Sequence, residues 1–130
     1  MLIRFAASLA LVSLLAACSH DIQLMRLEET LSAYGSAVRW SRFETAADFQ
    51  TEAARRPVDP EAYKDIHITG YDVVYRHEAN DRKSVKQTAE IRYFFEHEGV
   101  EKKLIDRQMW KFDEQKKQWF LETAIPGFPH

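Results

Sequence analysis

Residues 84–95 read SVKQTAEIRYFF, and this stretch decides the fold. Its side chains alternate between a mostly apolar set and a charged or polar set. The apolar set is Val85, Gln87, Ala89, Ile91, Tyr93 and Phe95, and the polar set is Lys86, Thr88, Glu90 and Arg92. Because successive side chains of a strand point to opposite faces, the stretch predicts a strand with one buried face.

One run before this strand and two runs after it show the same alternation. In the first run, Tyr71, Val73 and Tyr75 are expected on one face, and Asp72 and Arg76 on the other. Turn-forming residues separate the four runs near 80–81, near 99 and at 113–117. Four strands joined by short loops predict an antiparallel meander with one covered face.

In the run that follows this strand, apolar side chains fall on both faces. Leu104, Trp110 and Phe112 lie on one side of it, and Ile105 and Met109 lie on the other. The mixture predicts either a β-bulge or a strand that is covered on both faces.

The residues before the strands have helical periodicity. Apolar side chains recur every three or four residues at Leu24, Leu27, Leu31, Tyr34 and Val38. The stripe predicts an amphipathic helix over residues 22–40 with Asp21 as its N-cap, and a shorter helix is expected over 43–54. Gly35 inside the long helix predicts close packing or a kink. Together the elements predict an α+β domain, in which a long and a short helix pack on a curved four-stranded antiparallel sheet.

The first 17 residues are mostly apolar and contain one charge, Arg4. A basic start followed by an apolar stretch predicts a secretory signal peptide over residues 1–17. The stretch is shorter than the roughly 20 apolar residues that cross a bilayer. Residues 18–130 have the usual size of one domain and are expected to form one.

Composition excludes several classes of protein. Without Arg4 the chain keeps 17 basic and 20 acidic residues, a formal charge of −3, which excludes a simple electrostatic nucleic-acid binder. Its 16 aromatic residues exclude an intrinsically disordered chain. The single cysteine, Cys18, excludes an internal disulfide. The histidines lack the spacing of a zinc site, so neither a metal nor another cofactor is predicted.

The boundary of the apolar segment carries a specific motif. Leu15-Ala16-Ala17-Cys18 resembles the lipobox of bacterial lipoproteins. The resemblance implies cleavage before Cys18, lipidation of its thiol and attachment of the mature chain to a membrane. Ser19 after the cysteine implies sorting to the outer membrane, with the domain facing the periplasm. The alternative is an ordinary signal peptide followed by a coincidental cysteine.

The order of the elements resembles the cystatin-like and NTF2-like superfamily. The run YGSAVRWSRFETAADF at 34–49 is similar to the helical segment of uncharacterised proteobacterial lipoproteins of that type. The runs IRYFF at 91–95 and DRQMWKF at 106–112 are similar to their strands. Enzymes on this fold place an Asp or a His–Asp pair at the floor of a cone, where burial tunes the carboxylate for proton abstraction.

The resemblance therefore implies a candidate pocket formed by Asp72, Asp106, His67 and Trp110. Asp106 is expected on the same face of its strand as Trp110. If this face points inward, the charge of Asp106 is costly to bury unless it is paired. The alternative, which we favour, places Asp106 at a bulge or in contact with Arg92. The tryptophans at positions 40, 110 and 119 are expected in the core rather than in a ligand cage.

These observations leave two functions from different classes. The first is a non-enzymatic binding or scaffolding lipoprotein that acts on a protein or a small apolar ligand, through the open sheet face or the mouth between helix and sheet. The second is a small NTF2-like enzyme of the isomerase, dehydratase or hydrolase type, with Asp106 or Asp72 as general base. The uncovered sheet face also predicts a homodimer, and no nucleic-acid partner is expected.

Overall fold

The computed structural model describes the backbone of residues 2–130 and the side chains from Cys18 onward. The side chains of residues 1–17, which include most of the predicted lipobox, lie outside the described residues. The elements in chain order are helix α1 (Leu2–Arg39), helix α2 (Phe43–Ala47), a 3₁₀ turn (Pro60–Tyr63) and strands β1 (Ile66–Glu78), β2 (Ser84–Phe95), β3 (Lys102–Asp113) and β4 (Gln118–Leu121). The strands form one antiparallel sheet in the order β1-β2-β3-β4. The predicted α+β class and the meander are confirmed.

Helix α1 carries the predicted apolar stripe. Leu27, Leu31, Tyr34 and Val38 are buried against the sheet, and Leu24 is partly buried beside them. The predicted start at Asp21 is wrong, because the helix is continuous through this residue. Within the described residues, no helix is long and apolar enough to span a membrane.

Helix α2 ends earlier than predicted because the chain after it pairs with the sheet. The helix ends at Ala47, and Gln50 then forms a parallel bridge with Leu121 of β4. The backbone N–H of Leu121 donates to the carbonyl of Phe49 over 2.8 Å. This segment therefore covers the free edge of β4.

The core lies between α1 and one face of the sheet, the inner face. Its sheet side includes Val85, Ile91, Tyr93, Phe95, Trp110, Phe112 and Leu121. The C-terminal residues add to it, since Phe128 is buried and the hydroxyl of Tyr93 donates to the carbonyl of Pro129 over 2.8 Å. Trp110 and Trp119 are buried as predicted. Trp40 is not: it is 62% exposed, and the guanidinium of Arg39 lies over its ring.

Strand β1 contains two irregularities that the alternation did not reveal. Its register against β2 shifts between Ile68 and Gly70, and again between Val73 and Tyr75. The second shift places Arg76 opposite the inward Gln87 and Tyr75 opposite Thr88 on the other face. The predicted common face for Val73 and Tyr75 is therefore wrong, because an extra residue reverses the parity.

Strand β3, in contrast, has no bulge. Its pairing with β2 is continuous from Ser84 opposite Lys111 to Tyr93 opposite Lys102. Every even-numbered side chain from Asp106 to Phe112 is buried, whereas Ile105 is exposed on the outer face. The mixed parity thus reflects two apolar residues, Ile105 and Met109, on the open face.

Candidate functional site

A cluster of polar side chains lies on the inner face of the sheet, inside the apolar core. Gln87 of β2 and Gln108 of β3 are direct partners in the register, and both are buried. The amide of Gln87 donates to Oε1 of Gln108 over 3.1 Å, and Nε1 of Trp110 donates to the same atom over 2.9 Å. The amide of Gln108 donates to Asp106 and to the hydroxyl of Tyr71. Gln108 is thus the centre of the network.

The carboxyl of Asp106 belongs to this cluster and is only 8% exposed. Its Oδ2 accepts a hydrogen bond of 2.8 Å from Gln108. Burial raises the pKa of Asp106 above its ordinary value, and the hydrogen bond from Gln108 opposes this rise. The favoured prediction for Asp106 is wrong in both forms, because β3 has no bulge here and Arg92 binds Asp72 instead.

Two tyrosines lie beside the cluster: the hydroxyl of Tyr71 accepts from Gln108, and the ring of Tyr34 packs on Trp110. Burial raises the pKa of Tyr71, which comes from β1, to about 12. Burial, reinforced by the charge of Asp106, also raises the pKa of Tyr34 of α1 well above its ordinary value. The hydroxyl of Tyr34 is buried without a hydrogen-bond partner among the described residues. Both phenols therefore stay protonated and neutral.

The chemistry of this cluster is limited by access. One groove between α1 and β1, of about 370 Å³, reaches Tyr71, and another on the outer face, of about 400 Å³, reaches Gln87 and Gln108. Asp106 lines neither of them. A general base must come within hydrogen-bond distance of its substrate, and the two grooves do not provide that approach.

The other predicted pocket residues do not join Asp106, except for Trp110. Asp72 is exposed on the outer face and accepts a hydrogen bond of 3.1 Å from Arg92. His67 is also exposed, stacks on Phe94 and lies 4.0 Å from Glu96. The four residues therefore do not form one pocket.

The remaining histidines with described contacts lie at the same end of the sheet as His67, near the β2–β3 turn. His97 lies 3.6 Å from Asp65, and His130 contacts Glu98 over 2.9 Å. Among the residues whose side chains are described, no group of three or more His, Cys, Asp or Glu could hold a metal ion.

Cys18 is exposed and lies just before the part of α1 that contacts the sheet. Gln23 donates to the carbonyl of Arg82 in the β1–β2 turn and accepts a 3.0 Å bond from Nε1 of Trp119. Arg26 donates to the carbonyl of Lys117 in the β3–β4 turn over 2.7 Å. Helix α1 thus holds both hairpin turns close to the cysteine.

A third groove, of about 690 Å³, lies between α1 and the β3–β4 turn. Its charged lining contains three cations and two carboxylates, from Arg26, Lys116, Lys117, Glu29 and Asp48. Asp48 also forms a 2.7 Å ion pair with Arg55 outside this lining. Because both signs of charge are present, this groove selects no single class of ligand.

Sequence reasoning did not identify Gln87 and Gln108 as members of a site. The available signal was their parity, since Gln87 falls on the apolar face of β2 and Gln108 lies between Asp106 and Trp110 on the inward face of β3. Polar side chains at core positions require partners, so two such residues on neighbouring strands favour a mutual hydrogen bond.

Comparisons of the chain with protein-family models, with curated proteins and with solved structures give no match.

Proposed function

We propose that this protein is a lipoprotein attached to a membrane through Cys18, and that its domain is a non-catalytic binding module. The resemblance of Leu15-Ala16-Ala17-Cys18 to a lipobox supports the attachment. The residue after the cysteine, Ser19, supports an outer-membrane location with the domain in the periplasm.

The observation that carries the proposal is the position of Cys18 relative to the domain. The cysteine is exposed, and Gln23, five residues further along α1, hydrogen-bonds to the β1–β2 turn and to Trp119 of β4. At about 1.5 Å per helical residue, the two residues are about 8 Å apart along the axis. Lipid on this thiol would lie outside the packed domain, so attachment would not require the domain to unfold.

The non-catalytic part of the proposal rests on the environment of the two candidate bases. Asp106 is enclosed by the core cluster, and Asp72 is exposed and bound to Arg92. A small NTF2-like enzyme with either residue as general base has less support, because neither carboxylate is paired with a histidine in the described contacts.

Membrane fractionation of cells that express the full chain tests the attachment. The wild type is expected in the membrane pellet and resistant to a high-salt wash, because stable lipid anchoring depends on burial of acyl chains rather than on charge. The variant Cys18→Ser removes the thiol that would carry the lipid, and it should be lost from this salt-resistant fraction. The matched variant Ser19→Ala should remain in it.

Two results would contradict the proposal. One is a salt-resistant membrane association that persists in Cys18→Ser. The other is a wild-type chain that is released entirely by salt.

A further inference from the structure

The outer face of the sheet carries more cations than carboxylates. Its cations are Lys86, Arg92, Lys103, Arg107 and Lys111, and its carboxylates, including Glu122 just after β4, are Asp72, Glu90, Asp113 and Glu122. Three of these carboxylates have a cationic partner: Asp72 with Arg92 at 3.1 Å, Glu90 with Lys103 at 3.5 Å and Glu122 with Lys111 at 4.0 Å. Asp113, at the end of β3, accepts hydrogen bonds from the backbone N–H groups of Gln115 and Lys116. Lys86 and Arg107 are the two cations that remain without a carboxylate partner among the described residues.

Both of these cations line the same groove, which has a volume of about 400 Å³. The register explains why they meet, because Lys86 lies opposite Met109 and Thr88 lies opposite Arg107 in neighbouring rows of β2 and β3. Side chains in such diagonal positions of a sheet are within reach of each other. No carboxylate lines this groove among the described residues.

The register shift in β1 completes the groove. It turns Tyr75 to the outer face, opposite Thr88, where the ring is exposed. On the other side the backbone N–H of Glu122 donates to the carbonyl of Met109 over 2.8 Å, which brings Thr123 to the edge of the groove. Tyr75 and Met109 thus offer apolar surface next to the two cations.

We propose that the groove formed by Tyr75, Lys86, Thr88, Arg107, Met109 and Thr123 binds an acidic peptide segment of a partner protein. Carboxylates of the segment pair with Lys86 and Arg107, and its apolar side chains cover Tyr75 and Met109. Arginine is suited to this task because its guanidinium binds a carboxylate through two parallel hydrogen bonds. The identification deepens the proposed function, since it names the ligand of the binding module, and it does not depend on the lipid.

The shape of the groove favours a peptide over a small molecule. Small-molecule sites usually enclose most of the ligand surface, whereas this groove is open along the face of the sheet. It crosses the sheet from β1 to the segment after β4. With neighbouring strands about 4.8 Å apart, this distance is about 15 Å. An extended segment of about four or five residues has this length.

The test uses the full chain, purified in detergent from membranes, and a short fluorescent peptide that alternates glutamate and leucine. Fluorescence anisotropy should show binding to this peptide and at least about tenfold weaker binding to a peptide with glutamine in place of glutamate. The double variant Lys86→Ala/Arg107→Ala should also lose at least about tenfold in affinity. Circular dichroism of each variant verifies that the fold is kept.

A matched double variant separates this groove from the general charge of the face. Lys103→Ala/Lys111→Ala removes the same charge from the same face, but these lysines already have carboxylate partners outside the groove. This variant should bind the acidic peptide within about twofold of wild type if the contacts are local. Equal losses in the two double variants would contradict the proposal.

Other results would also overturn the proposal. The first is that the peptide does not bind, and the second is that inorganic phosphate displaces it at equal concentration. The third is that phosphatidylglycerol vesicles capture the protein in a way that requires Lys86 and Arg107. The fourth is that sedimentation shows a dimer, which the double variant Lys86→Ala/Arg107→Ala dissociates. The variant Cys18→Ser distinguishes the two proposals, because it should bind the peptide like wild type whether or not the natural chain carries lipid.

Discussion

The carboxylate of Asp106 lies in a position from which water is largely removed. It is 8% exposed, and its described hydrogen-bond partner is the neutral amide of Gln108. Burial raises its pKa because the charged form loses more solvation than the neutral form. The folded state therefore holds the proton of Asp106 more tightly than the unfolded state does.

The consequence for stability can be tested with Asp106→Asn. Because the folded pKa is raised, the contribution of Asp106 to stability is fully present below the ordinary value of 3.8 and is lost as the pH rises through the folded pKa. Asparagine keeps an acceptor for Gln108 and does not ionise. The free energy of unfolding of the variant minus that of wild type should therefore increase with pH and then reach a plateau, as measured by urea unfolding from about pH 3 to about pH 8.

The variant Asp72→Asn is the matched control for this series. It deletes the same charge from an exposed carboxylate that pairs with Arg92, and should not produce this increase. A difference between Asp106→Asn and wild type that stays constant or falls as the pH rises would contradict the burial of an uncompensated carboxyl.

Helix α1 and strand β1 approach each other closely at Gly35. A Cβ atom at this position would lie 2.8 Å from Cε1 of Tyr71. The ring of Tyr71 is held in place, since its hydroxyl accepts a 2.9 Å hydrogen bond from Gln108. The close packing predicted for Gly35 is therefore confirmed, and it links α1 to the polar cluster.

Gly35→Ala should destabilise the domain although alanine favours a helix. The gain in helix propensity is about 1 kcal/mol, whereas overpacking of a fixed side chain costs about 1–3 kcal/mol. We expect the free energy of unfolding to fall by about 1 kcal/mol in chemical denaturation.

Gly70→Ala provides the comparison, because the three atoms nearest to the added methyl group all belong to the guanidinium of Arg92, an exposed and flexible group. Its effect should be the smaller of the two. An increase in stability for Gly35→Ala would show that Tyr71 moves freely and would contradict the close contact.

The elements that could be predicted from sequence are those whose periodicity is local. The stripe from Leu27 to Val38 and the alternation in β2 each reflect one face against the core, and both faces are confirmed. The register shift near Val74 could not be predicted, because an alternating pattern does not show where an extra residue interrupts the pairing.

The same limit applies to the candidate sites. Asp106 could be singled out by its parity, but its partners depend on which residues β2 and β3 place opposite each other. The outer-face groove depends on the shifted position of Tyr75 and on the residues that follow β4. Such contacts come from the register of several strands, and separate runs of sequence do not specify it.

The arrangement of the molecule separates its two proposed activities. Cys18 lies within α1, a few residues before Gln23 and Arg26, which contact the β1–β2 and β3–β4 turns. The proposed peptide groove lies on the face of the sheet that α1 does not cover. A chain tethered through Cys18 would therefore keep this groove open to partners while the lipid stays in the membrane.

The most direct test of the account is the mass of the N-terminal peptide of the mature protein extracted from membranes. We predict a chain that begins at Cys18, with a mass increase on this residue that corresponds to a diacylglyceryl group. A peptide that still contains residues 1–17, or an unmodified Cys18 whose thiol reacts with iodoacetamide, would contradict the central claim that this domain is tethered to a membrane by lipid.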